Sequence, residues 1–143
     1  MTARPDAGTL VDTNVIIDVV TGDPRWGTWS EDALARAADA GELAINPIIY
    51  SELAAGFGRI EDLDAAVPAE IYRRDDLPWP AGFLASRAFV QHLQRRGRRG
   101  RAPLPDFLIG AHAAVSGMRL LTRDPQPYRT HFPGVLLLCP DRG

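Results

Sequence analysis

The stretch TLVDTNVIID, Thr9 to Asp18, decides how the rest of the chain is read. Thr9 to Val11 has the length and apolar character of a short buried strand, and Val15 to Val20 that of a helix ended by the turn residues TGDP. Asp12 stands between them. A carboxylate at the end of a buried strand needs a reason, because burying an unpartnered charge is strongly unfavourable. Two reasons are open: Asp12 caps the helix that follows, or the first strand ends at a site that uses a carboxylate.

Working outward, the strand-then-helix pattern repeats. SEDALARAADAG predicts a helix with Ser30 at its N-cap and Gly41 at its stop. Leu43 to Ile45 reads as a strand that breaks at the dipeptide NP, and Ile48 to Phe57 has the spacing of an amphipathic helix. Ile60, Leu63 and Val67 recur at helical intervals, with Glu61, Asp62 and Asp64 on the solvated face. EIYRRD fits a short strand or a loop. After the break DDLPWP, Phe83, Leu84, Ala88, Phe89 and Leu93 mark one face of a helix. PLPDFLIGAHAAVSG is a further helix, with proline at its start and Gly117 at its end, and MRLLT and GVLLL are two buried strands. Short strands alternating with helices predict an α/β fold with a largely parallel central sheet, as a single domain over residues 1–143.

Composition bounds the function. A length of 143 residues with 45% hydrophobic content supports one domain with a real core. The longest apolar run, Val135 to Cys139, is far short of the roughly 20 residues a membrane helix needs, and MTARPDAG lacks the apolar core of a secretory signal. A cytoplasmic protein without a membrane segment is expected. Cys139, the one cysteine, is read as a small buried hydrophobe. The net charge of −2 gives no global sign of a nucleic-acid coat protein. Lysine is absent, however, and Arg95, Arg96, Arg98, Arg99 and Arg101 crowd into RRGRRGR, whose glycines break any helix. That segment is a cationic loop, either a solvated connector or a phosphate contact.

Four acids stand out by position. Asp12 follows the first strand, Glu52 lies in the first turns of the helix after the second, Asp106 sits at a helix start, and Asp124 follows RLLT. In an open parallel sheet, strand carboxyl ends and the helix starts that follow them share the edge where ligands bind. Three of the acids map directly to that edge, and Asp106 joins them if its helix or the loop before it folds over. Each acid alone has a structural explanation as a cap or turn residue. Convergence does not, since two carboxylates about 4 Å apart repel by roughly 4 kcal/mol at an effective dielectric near 20. Cations resolve that repulsion, and an oxygen-only set suits Mg2+ or Mn2+; zinc prefers His or Cys, and His92, His112 and His131 lack ligand spacing.

The segments LVDTNVIID, NPIIYSELAAG, LPDFLIGAHAAVSGMRLLTRD and YRTHFPGVLLL together resemble PIN-domain ribonucleases, most closely the VapC-type toxins of bacterial toxin–antitoxin pairs. The resemblance runs nearly end to end and departs most over Glu61 to Arg101. It implies a PIN-like three-layer fold and metal-dependent hydrolysis of RNA to 5′-phosphate and 3′-hydroxyl ends. Asp12, Glu52, Asp106 and Asp124 would then be the quartet that holds Mg2+ or Mn2+, steadied by Thr13, Asn14 and Thr122. The arginines at 95, 96, 98, 99 and 101 would engage RNA phosphates. A cognate antitoxin protein and a toxin homodimer are the implied partners.

Two alternatives differ in class. One is a non-catalytic PIN-like module using Trp26, Trp29 and Trp79, which fall in Pro/Gly-rich connectors, as a partner surface. The other is a haloacid-dehalogenase-like phosphatase, which wants a second acid where Asn14 stands and a lysine that this chain lacks.

Overall fold

In the computed structural model of the chain, which describes residues 7–96 and 104–141, TLV forms β1 (Thr9–Val11) and Asp12 is the N-cap of α1 (Thr13–Thr21). The helix stops at Gly22, whose left-handed backbone (φ 62°) lets its N–H reach the carbonyls of Asp18 and Val19. There follow α2 (Gly27–Ala40), β2 (Leu43–Ile45), α3 (Pro47–Ala54), α4 (Ile60–Ala66), β3 (Tyr72–Arg74) and α5 (Trp79–Arg96). Then come α6 (Leu104–Ser116), β4 (Arg119–Leu121), α7 (Gln126–His131) and β5 (Leu137–Leu138).

The five strands form one parallel sheet in the order β3-β2-β1-β4-β5, with Thr9 beside both Leu43 and Arg119, and Leu10 beside Leu120. Successive strand side chains point to opposite faces, so burial of every residue in β1 and β2 means that both faces are covered. The helices flank the sheet, giving the α/β architecture expected. Leu10, Val11, Ala44, Ile45, Leu120 and Leu121 are essentially removed from solvent and form its centre. At roughly 1.5–3 kcal/mol for each large aliphatic side chain buried, this core fixes where the strand ends lie.

The chain builds the sheet outward from β1 to β2 to β3, then crosses back to lay β4 on the other side of β1. The direction of winding therefore reverses between β1 and β4. In open α/β sheets the crevice outside the carboxyl ends at such a reversal is where ligands bind.

Several local expectations change. Ser30 is no cap: α2 begins at Gly27, Trp29 lies inside it, and the buried Ser30 hydroxyl donates to Asp18 Oδ2 at 2.8 Å. NP is a helix start rather than a break, because Asn46 Oδ1 accepts the Ile49 N–H at 2.9 Å while Pro47 takes the first helical turn. For the same reason WP at residues 79–80 opens α5. EIYRRD contains an edge strand, tied by Arg73 to Ala7 O (2.8 Å), Glu42 Oε2 (2.8 Å) and Asp75 (2.8 and 2.9 Å). Only Leu137 and Leu138 of GVLLL pair as a strand, and Cys139 is half-buried, with Sγ 3.4 Å from Arg129 Nη2. Among the described residues no helix is long and apolar enough to cross a membrane.

Candidate active site

The crevice at the reversal is built around Asp12. Its backbone N–H donates to Leu121 O at 2.9 Å, which ties the end of β1 to the end of β4. Its side chain is 4% exposed and fully engaged. Oδ1 accepts the Thr13 N–H at 2.8 Å, so the cap reading is correct as far as it goes. Oδ2 accepts the hydroxyls of Thr122 and Tyr128, both at 2.8 Å, and Asn14 Nδ2 at 3.4 Å. A helix cap needs one acceptor atom; the second oxygen is held by Thr122, just after β4, and Tyr128 on α7, which no cap requires.

The remaining acids reach the same place by different routes. Glu52 comes from α3, oriented by the Asn46–Pro47 start, and its Oε1 accepts the Thr13 hydroxyl at 2.7 Å. Asp106 lies in the first turn of α6, where a negative charge suits the helix start. Asp124 follows β4 in a turn whose N–H donates to Thr122 Oγ1 at 3.1 Å, while Asn14 Oδ1 accepts the next N–H upstream, that of Arg123, at 3.2 Å. Asp12, Glu52, Asp106 and Asp124 line one cavity of about 230 Å³. Thr13 and Asn14 line it too, and Ile17, Pro127 and Tyr128 complete it. Asp106 is thus on the same edge as Asp12.

The electrostatics follow from that convergence. Burial first, then the charges of Asp12, Glu52 and Asp124, push the Asp106 carboxyl up to about 7. Burial also raises Asp12, against the lowering effect of its bonds from Thr122, Tyr128 and the Thr13 N–H. Tyr128 is raised far above the usual phenol range, by burial and then by the charges of Asp12 and Asp106, so it remains a proton donor. Among the described residues, no basic side chain lines the acid cavity.

The chemistry of this donor set, all carboxylate and hydroxyl oxygen, fits a hard divalent cation. Among the described residues, however, no group of three or more His, Cys, Asp or Glu side chains is arranged so that it could hold a metal ion. The four acids share a cavity without forming such a group, and Asp12 and Glu52 are turned onto protein donors. An ion would have to draw them together.

Two groups were not anticipated from sequence. Tyr128, 1% exposed, donates into the site from α7, and Gly110 leaves room for α7: a Cβ there would clash with Phe132 Cδ2 and Cε2 and lie 3.1 Å from Tyr128 Cδ1. Asp18 and Arg123 form the other, with Arg123 Nε and Nη2 2.8 and 3.1 Å from the buried Asp18 carboxylate. That pair anchors the residue between Thr122 and Asp124. His112, by contrast, is structural as expected, buried with Nδ1 2.9 Å from Asn46 Nδ2. Arg95 is exposed at the end of α5 beside the acids, whereas Arg98, Arg99, Arg101 and the side chain of Arg96 lie outside the described residues. Of the tryptophans, Trp26 packs edge to face on Trp29 (6.3 Å between centroids) with the Arg123 guanidinium 5.7 Å from its ring, and only Trp79 is fully exposed.

The PIN domain family model matches residues 9–133, and the chain belongs to that family. No curated protein sequence matches it. Among solved structures it is similar to a chain of VapBC2 from Rickettsia felis bound to a DNA fragment from their promoter, with TM-score 0.69 at 18% identity, covering 92% of this chain and 97% of that one. DNA-bound VapBC from Salmonella typhimurium gives TM-score 0.66 at 20% identity over 92% and 97%. A toxin–antitoxin complex from Klebsiella pneumoniae gives 0.63 at 23% over 90% and 96%. At these identities the likeness is one of fold. Family membership removes the haloacid-dehalogenase-like reading.

Proposed function

We propose that this PIN-domain protein is a metal-dependent endoribonuclease and the toxin of a VapBC-like toxin–antitoxin pair. The observation that carries the reading is the meeting of Asp12, Glu52, Asp106 and Asp124 in one cavity at the winding reversal, with no cationic side chain lining it among the described residues. Four convergent carboxylates destabilise a fold unless something neutralises them. The fold's likeness to toxin–antitoxin complexes supports the toxin assignment. A cognate antitoxin, a homodimer and a cytoplasmic setting belong to the same proposal.

Asp12, Glu52, Asp106 and Asp124 would hold Mg2+ or Mn2+. The chemistry supplied by such an ion when bound is polarisation of the scissile phosphodiester and a lowered pKa for the attacking water. Thr122 and Tyr128 fix Asp12 Oδ2, Thr13 fixes Glu52 Oε1, and the Asn14–Arg123 contact fixes the turn carrying Asp124. Asp106, raised to about 7, holds a proton at its carboxylate near neutrality and surrenders it when the surrounding charge is neutralised. Arg95, with Arg96, Arg98, Arg99 and Arg101 after it, supplies cationic contacts for RNA phosphates outside the acid cavity. Incubation of the protein with total cellular RNA, with Mg2+ or with chelator, tests the reading. Discrete new 5′-phosphate ends that appear only with Mg2+ support it; intact RNA under both conditions refutes it.

A further inference from the structure

Beside the acid cavity lies a second one of about 350 Å³, and Asp106 and Asp124 line both. The rest of its wall has a different chemistry: the rings of His92, Phe107 and His131, the side chains of Gln126 and Thr130, and the guanidinium-bearing Arg95. The rings pack edge to face, with centroids 4.8 Å apart for Phe107 and His131, 5.5 Å for His92 and His131, and 5.7 Å for His92 and Phe107. They come from α5, α6 and α7, so three elements build one aromatic wall next to the acids. None of these groups has a task in the metal chemistry.

The volume lies within the roughly 300–1,000 Å³ typical of small-molecule sites. An aromatic wall in which His92 and His131 are half-buried, with an amide and a hydroxyl beside it, suits an unpaired base, which has a π-face to stack and polar edges to hydrogen-bond. Gln126 and Thr130 are exposed, and the Thr130 hydroxyl, which donates to Gln126 O at 3.1 Å, keeps its lone pairs to accept from such an edge. The nearby Arg95 supplies a cation where a polyanion would otherwise meet only carboxylates.

We infer that this second cavity is a nucleobase subsite, which takes the unpaired base of the nucleotide next to the phosphate held over the acids. The base stacks against the His131 wall, and its edge meets Gln126 and Thr130. The inference rests on the RNA-cleaving reading and adds to it a contact with the base beside the cut.

The test uses the full chain and its histidine ring signals by NMR. Adenosine or uridine 5′-monophosphate should shift the His131 and His92 signals saturably, while ribose 5-phosphate should not. His131→Ala and the surface variant Gln126→Ala should each weaken nucleotide binding, the former by roughly fivefold to a hundredfold, the range that loss of one base stack produces. Equal shifts with ribose 5-phosphate, or none with either nucleotide, would overturn the subsite; a short peptide rich in Arg and Trp that shifts these signals when nucleotides do not would identify a protein-binding pocket instead. In cleavage assays, one abasic nucleotide beside the cut should lower kcat/KM in the wild type and have little effect in His131→Ala. Cleavage indifferent to the abasic site in the wild type sinks the subsite alone. Nucleotide-dependent shifts without any RNA cleavage sink the nuclease reading and leave the subsite standing.

Discussion

The Tyr128 hydroxyl donates to Asp12 Oδ2 at 2.8 Å, linking α7 to the end of β1 across 116 positions of sequence. Both side chains are buried, at 1% and 4% exposure, so solvent cannot replace the bond. Tyr128→Phe should therefore destabilise the protein by about 1.5–3 kcal/mol, the range for a hydrogen bond to a charged group. The bond favours the ionised carboxylate, so the loss should grow as pH rises through the titration of Asp12. Urea midpoints of both proteins across pH measure it, and a constant difference below about 0.5 kcal/mol would contradict this role.

Asp106 is raised from 3.8 to about 7, chiefly by burial and then by Asp12, Glu52 and Asp124. Between those values the folded chain keeps a proton that the unfolded chain has released. The stability this group contributes is thus full below 3.8 and lost as pH rises through about 7. A divalent ion removes the cause, so Mn2+ binding should release about one proton near pH 6 and almost none near pH 8.5. Calorimetry in two buffers of different ionisation heat reads that number, and no release near pH 6 would show that Asp106 is not coupled to the ion.

Much of this was legible in the sequence because it follows from local patterning. Three-residue strands flanked by Gly, Pro and Asn, and acids placed just after strands or at helix starts, gave both the parallel sheet and the cavity lining of Asp12, Glu52, Asp106 and Asp124. Misreadings arose where one residue type serves two physical ends. Proline after Asn46 and after Trp79 starts helices as readily as it breaks them, and Ser30, which suits a cap, is spent on Asp18. Tyr128 and Arg123 were invisible for another reason. Their partners, Asp12 and Asp18, are more than a hundred positions away and meet them only through tertiary packing.

That packing is tight at Gly110. Alanine there would gain about 1 kcal/mol of helix propensity, yet its Cβ would overlap the Phe132 ring and crowd Tyr128. Gly110→Ala should lose about 1–3 kcal/mol net, as overpacked cores do, and should lower activity by displacing Tyr128 from Asp12. Thermal unfolding and cleavage rates report the two effects. A variant as stable and as active as the wild type would mean that α7 has room to move.

Arg123 holds Asp18, a carboxylate 1% exposed on α1, and so fixes the turn that carries Asp124. Arg123→Ala leaves that charge buried with Ser30 as its remaining side-chain partner among the described residues and should cost about 3 kcal/mol, the low end for a broken buried pair because Arg123 is partly open to solvent. Adding Asp18→Asn should recover most of the loss. Denaturant midpoints of the single and double variants decide it, and additive losses would mean that the two side chains are not coupled.

The central claim is that the convergent carboxylates exist to hold a divalent ion. Its most direct test is the titration of Mn2+ into the purified chain, with free ion followed by electron paramagnetic resonance, for the wild type, Asp12→Asn and Asp106→Asn. The account predicts saturable binding of one or two ions by the wild type, weakened at least roughly tenfold in each folded variant, since an amide keeps the size of the carboxylate and removes the charge that attracts the ion. Equal Mn2+ affinity in all three proteins, or none in the wild type, would contradict it.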